Sequence, residues 1–162
     1  MKRARRAVLG LTVALVPALL GGGCSLLPAG LSGFVGDITV STREAGEAAR
    51  QVSAYRRSHG LGPVSVDARL NEAAEEQARA VARAGRLSHG DFAGRMSRYD
   101  VAAAAENLAM GSSTVGGAMT QWRQSPHHNA NLLKEGMTRI GFARAQTMGR
   151  GHNNYWALVL AR

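Results

Sequence analysis

Apolar positions recur at intervals of three and four residues over two stretches of the chain, and each predicts an amphipathic helix. From about Thr42, the positions Ala45, Ala48/Ala49, Val52 and Tyr55/Arg56 share one face. The run stops at His59-Gly60, where glycine suits the position beyond a helix end. The second stretch is clearer. Asp67 can cap it, and Leu70, Ala73/Ala74, Gln77/Ala78, Val81 and Ala84 form its apolar stripe. Glu72, Glu75, Glu76, Arg79, Arg83 and Arg86 fill the other face, with Glu75–Arg79 and Glu76–Arg79 at helical pairing intervals, and Gly85 ends or loosens the helix. So many alanines on the inner face leave thin contacts, which let a neighbouring helix or sheet approach closely.

Leu87 to Met110 reads as a loop-rich centre, and Thr114 to Arg123 as a third helix. Ser125-Pro126 starts a fourth, which runs to about Leu133: serine caps, and proline fits the first turn because its missing N–H costs nothing there. Arg139–Ala145 and Tyr155–Leu160 are the strand candidates, joined by the turn-like residues 148–154. Helices first and an antiparallel pairing late predict an α+β or three-layer domain.

The N-terminus follows a different pattern. Lys2, Arg3, Arg5 and Arg6 precede an apolar stretch of 14 residues, Ala7 to Leu20, too short to span a bilayer and suited to the core of an export signal. Gly21, Gly22 and Gly23 then lead into Cys24, the only cysteine. That order resembles a bacterial lipoprotein signal, in which the cysteine is lipidated, with acyl groups such as palmitate, and becomes the new N-terminus. Gly21 stands where such signals usually carry leucine. Residues 1–23 are therefore expected to be the signal, 24–42 a tether containing three glycines and one proline, and 43–162 the folded domain. The expected location is outside the cytoplasm, held at the cell membrane or outer membrane through Cys24. Plain secretion or a periplasmic protein is the alternative.

Composition narrows the picture further. A chain of 162 residues, 45% hydrophobic, suits one domain with a real core. One cysteine excludes an internal disulfide scaffold. The net charge of +9 is inflated by the signal: the remainder carries 16 basic and 11 acidic residues, a net +5 with no basic run. Nucleic-acid binding needs a clustered positive face, which this spread does not supply. No oligomerisation pattern is present, so a monomer is expected.

On residue chemistry, three side chains stand out. Glu106 follows five apolar residues and precedes Leu108-Ala109, so its carboxylate is expected near the core, where it must be paired, liganded or protonated. Arg95 or Arg98 is the simplest partner for it. His128 falls at the third position of the helix begun after Ser125, where a helix N-terminus disfavours imidazolium and keeps the ring neutral. His89 precedes Gly90-Asp91 in the loop-rich centre. Two neutral histidines and a carboxylate can hold zinc or another divalent ion with a position open for water. The same residues also read as ordinary loop and helix-start groups, and neither His-x-x-x-His nor Gly-x-Ser-x-Gly occurs.

Several segments together carry a family resemblance. They are Ser88-His89-Gly90-Asp91-Phe92 with Arg95, Glu106-Asn107-Leu108-Ala109, Trp122 with Ser125-Pro126-His127-His128-Asn129 and Asn131, Arg139-Ile140-Gly141-Phe142, and Tyr155-Trp156. In order and content the chain resembles a bacterial member of the CAP superfamily (SCP/TAPS, the pathogenesis-related-1 fold) over roughly residues 45–162. The resemblance implies an α-β-α sandwich with a central, largely antiparallel sheet. It also implies a cleft with two histidines and two acidic residues that holds a divalent ion in some members. By motif, His89, Glu106 and His128 match three of the four, and Ser125 stands where the second glutamate is usual. Asn107 and Asn131 are expected to satisfy nearby backbone and brace the turn presenting His128, and Trp122 and Trp156 to be core.

Function is expected in one of three classes. The first is an envelope-associated binding module, with a cell-envelope component, lipid or protein as ligand. The second is a metal-assisted hydrolase of peptide or cell-wall material using His89, Glu106 and His128. The third is a lipid or sterol carrier, which requires a dry aliphatic groove.

Overall fold

A computed structural model describes residues 37–148 and 154–162. The signal, Cys24, most of the tether and turn residues 149–153, including His152, lie outside the described residues. In chain order the elements are β1 (Ile38–Ser41), α1 (Ala45–Arg57), β2 (Ser65–Val66), α2 (Ala68–Ala84), α3 (Phe92–Arg98), β3 (Ala104–Met110), α4 (Val115–Gln124), α5 (Pro126–Leu132), β4 (Arg139–Thr147) and β5 (Asn154–Ala161).

The sheet runs β1-β4-β5-β3, every neighbouring pair antiparallel, and β2 adds two residues parallel to the start of β4. Every residue of β5 is buried, because helices cover both faces. Its pleat sends Trp156, Leu158 and Leu160 into one core with α1 and α4, and Tyr155, Ala157, Val159 and Ala161 into a second core with α2. The expected α+β, three-layer architecture is therefore present.

The two cores differ in kind. On the α1/α4 side, Trp122, Phe142 and Trp156 pack in a row, with ring centroids 6.2 and 5.5 Å apart. Each indole N–H is used: Trp122 Nε1 donates to Leu108 O and Trp156 Nε1 to Ser112 O, both at 2.9 Å. On the α2 side, Ala73, Ala74, Ala78 and Ala82 face Ala143, Ala145 and Ala157. Ala84, expected in this stripe, is exposed, and Ala82 takes the inner position. A layer this thin brings the α2 backbone against the sheet. A Cβ placed on Gly141 would lie 2.0 Å from Leu70 O.

Asp67 caps α2 as expected, accepting the Leu70 N–H at 3.0 Å, and its other oxygen pairs with Arg139 Nη1 at 3.0 Å. The Leu70 bond, and after it Arg139, hold its pKa below the usual carboxylate value against an opposing desolvation. A carboxylate depressed by folding stabilises the fold above its unfolded pKa, and the contribution is lost as pH falls through the folded value. Asp67→Ala is expected to cost about 1 kcal/mol at neutral pH. In urea unfolding followed against pH, its difference from the parent should shrink in acid. Gly85, at φ +63°, terminates α2.

Arg56 is buried and has no acidic partner among the described residues. Its guanidinium donates to Gly62 O, Leu132 O, Lys134 O and Met137 O at 2.8–3.0 Å, gathering the connections after α1 and α5. Burial lowers its pKa.

Four expectations change. The tether's last residues form β1, an edge strand on β4. The loop-rich centre contains α3 and β3. Glu76 pairs with Arg98, and Tyr99 Oη donates to it at 3.3 Å, so this carboxylate is engaged across α2 and α3. Ser125 makes no side-chain cap to α5; its carbonyl accepts Asn129 N–H at 2.8 Å, and proline alone supplies the local start signal.

Candidate functional site

Strand β3 brings the two halves of the site together. Its odd-numbered residues face β5, as shown by the backbone bonds of Ala103 O with Arg162 N and of Gly111 N with Asn154 O. The carbonyls of Glu106, Leu108 and Met110 therefore point away from the sheet. Each receives a side-chain donor from α4 or α5: Asn131 Nδ2 at 3.1 Å, Trp122 Nε1 at 2.9 Å and Gln121 Nε2 at 3.4 Å. The side chains alternate. Leu108 packs in the α2 core and Ala109 in the α1 core, so Glu106 goes to the α2/α3 side and Asn107 to the α1/α5 side.

Glu106 is buried, with 1% of its side chain exposed. Oε1 lies 2.7 Å from His89 Nδ1, and Oε2 accepts from Arg95 Nη2. Of the two arginines considered from sequence, Arg95 is the partner and Arg98 goes to Glu76. Arg95 is placed by α3, whose start is set by Asp91 accepting the Gly94 N–H at 2.9 Å, and its guanidinium lies 5.6 Å from the Phe92 ring centroid. The His89 loop is tied to α2 by Gln77 Nε2 donating to Ser88 O. His89 itself is more than half exposed.

His128 approaches from α5 and is half-buried. Desolvation lowers its pKa most, with further lowering from His89 and His127, so the neutral ring is favoured and His89 is close enough to be felt. His127 is exposed. The two sides are stitched together by amides: Asn107 Nδ2 donates to His128 O at 2.9 Å, and Asn131 Nδ2 to Asn107 Oδ1 at 2.9 Å as well as to Glu106 O. Tyr55 Oη, from α1, donates to Asn129 Oδ1 at 2.7 Å beside His128.

His89 and Glu106 thus meet directly, and His128 lies within electrostatic range of His89. Among the described residues, no three His, Cys, Asp or Glu side chains converge as a metal cage. Both oxygens of Glu106 are engaged, so what the arrangement offers a divalent ion is two imidazoles, with Glu106 behind His89. Imidazole nitrogens suit a zinc-like ion, and a carboxylate on the far nitrogen of a ligating histidine is a common supporting partner. Arg95, Gln77 and Tyr55 are supporting residues that sequence reasoning undervalued or missed. The legible signal for Arg95 was Asp91 as a helix start, which fixes where the next turn points.

A sandwich of this topology with a histidine–glutamate pair beside its edge strand matches the class that the sequence motifs implied. Residues 49–160 match the family model of the cysteine-rich secretory protein (CAP) family, and the chain belongs to that family. Its fold is shared by an outer surface protein of Borrelia burgdorferi, at TM-score 0.68 and 21% identity over 78% of this chain and 98% of that one. An extracellular SCP-domain protein of Bacillus anthracis matches at TM-score 0.62 and 22% identity over 72% of this chain. A cysteine-rich secretory protein of Staphylococcus aureus matches at 0.58 and 16% over 71%. The match covers only 39% and 36% of the last two proteins. No curated protein sequence matches the chain.

Proposed function

We propose that this protein is exported, anchored at the cell envelope through lipidated Cys24, and acts there as a binding module whose ligand site is built from His89 and His128. A divalent cation such as zinc is the proposed first ligand. The observation that carries the reading is the 2.7 Å contact between His89 Nδ1 and the buried Glu106, which leaves Nε2 of the more than half-exposed ring to face a ligand. When bound, an ion would polarise a ligand oxygen or water there. The chain's own residues do the preparation: Glu106 orients His89, Asn107 and Asn131 fix the His128 backbone, and Tyr55 steadies its neighbour. Export and anchoring rest on the basic, apolar, glycine-cysteine order of residues 1–24, and export is in keeping with the three structural relatives, an outer surface, a secretory and an extracellular protein.

The binding reading is preferred to a lipid carrier because of two surface hollows. One, of about 490 Å³, is lined by Glu72, Glu75, Glu76, Arg79, Ala80, Arg83 and Tyr99. The other, of about 340 Å³, is lined by Gln51, Ala54, Tyr55, Ser58, Met119 and Arg123. Five charged side chains line the first, and Gln51, Ser58 and Arg123 interrupt the second, so neither is walled by aliphatic residues alone as a dry lipid groove would be.

The test is titration calorimetry of the full chain with zinc, then magnesium and calcium. Binding should be lost in both His89→Ala and His128→Ala while both variants remain folded by circular dichroism. Loss in both also opens the hydrolase reading to screening on peptides and cell-wall fragments. No binding by the folded parent would overturn the ion site. Independently, Cys24→Ser is expected to abolish detergent-phase partitioning and acyl labelling in cells; unchanged partitioning would overturn the anchor.

A further inference from the structure

We propose that Arg95 is a positioning residue that fixes which nitrogen of His89 carries the proton, holding it on Nδ1 and turning the Nε2 lone pair outward. The inference rests on the ligand site proposed above and adds the group that orients it. The geometry is a relay of three side chains, Arg95–Glu106–His89, with the first two buried and the third more than half exposed.

Hydrogen-bond capacity supplies the argument. A guanidinium has five N–H donors and no acceptor, and an ionised carboxylate only accepts. Arg95 Nη2 occupies Oε2 of Glu106, and its fixed charge cancels the carboxylate's within the same buried space. Oε1 is left to accept, so the His89 nitrogen 2.7 Å away must be an N–H. In neutral imidazole the other nitrogen then has no proton and can only accept or ligate. Among the described residues, Arg95 has Glu106 as its acidic partner. Its Nε is buried without a partner, so the guanidinium is placed for Glu106 at the expense of one of its own donors. The Phe92 ring, 5.6 Å below it, supports the position without competing for those donors.

The arrangement gives an unusual forecast for Glu106→Gln. The amide has one accepting and one donating end. Arg95 can only donate, so it claims the amide oxygen, and the NH2 group turns toward His89. Nδ1 must then accept, and the proton moves to Nε2. An almost isosteric change reverses the outward face of the histidine while leaving both ring nitrogens in place.

The experiment is 15N NMR of the histidine rings in the chelator-treated full chain at about pH 8, where an ordinary imidazole is neutral. His89→Gln assigns the signal. The parent should show Nδ1–H, and Glu106→Gln should show Nε2–H. Adding Arg95→Met to Glu106→Gln frees the amide, and a measurable fraction of Nδ1–H should return. Adding Arg95→Lys instead keeps a donor-only group and should preserve the complete switch. Zinc affinity should fall at least tenfold in Glu106→Gln, although both histidines remain, and recover in part with Arg95→Met. A parent in the Nε2–H form, no switch in Glu106→Gln, or a switch equally complete after Arg95→Met would each overturn the proposal. Because the tautomers are read without metal, the expected switch together with absent zinc binding would sink the ion site alone.

Discussion

Gly141→Ala is expected to leave the protein unfolded, or less stable by roughly 3 kcal/mol or more, the upper range for overpacking a core. The added Cβ would meet Leu70 O at 2.0 Å, Leu70 C at 2.1 Å and Asn71 N at 2.6 Å. These are backbone atoms in the first turn of α2, so no rotamer change can make room. The helix is also fastened there: Asp67 caps it and pairs with Arg139, and Asn71 Oδ1 accepts the Phe142 N–H at 2.9 Å. Relief requires lifting α2 from the sheet, which opens the alanine-lined core along its length. Gly62→Ala is the control, since a Cβ there meets nothing within 4 Å. Equal urea midpoints for the two variants would show that the close approach does not constrain the fold.

The second large effect concerns the buried ion pair. Glu106→Leu strands the Arg95 charge in a site where only 4% of that side chain is exposed, and about 3–5 kcal/mol of stability should be lost. Combining it with Arg95→Met removes both charges and should recover most of that loss, because a buried pair replaced by apolar groups of similar size is often neutral. The double variant would still lack the His89 orientation, so stability would return without ligand affinity. Urea unfolding and zinc titration on the same samples separate the two. If Glu106→Leu alone were as stable as the parent, the charge balance drawn around Arg95 would be wrong.

These two sites show what the sequence could and could not disclose. Asp67, Gly85 and Pro126 are local signals, and the helices they punctuate lie within a few residues of where the pattern places them. The tryptophans are buried as their settings suggested. Strand β3 escaped because Ala104 to Met110 include no β-branched side chain. Its conformation is imposed by β5 on one edge and by donors from α4 and α5 on the other. Similarly, β1 is four residues long and is defined by its pairing with β4, more than a hundred positions away. For the site, residue chemistry singled out His89, Glu106 and His128 and anticipated a buried Glu106 and a neutral His128, and the motif resemblance matched the same three. The direction of the Glu106 carboxylate depended on how α3 aims Arg95, which no spacing rule encodes.

The donors along β3 have a consequence for self-association. An edge strand normally displays a row of unpaired carbonyls that a second chain can adopt as a template. Here Asn131, Trp122 and Gln121 occupy successive outward carbonyls; Asn131 comes from α5, which presents His128, and the other two from α4. The α4–α5 segment, whose second helix presents His128, therefore also closes that edge of the sheet to strand addition. Damage to it would surface as aggregation as readily as lost binding, and solubility becomes a second selective reason for retaining the same few side chains.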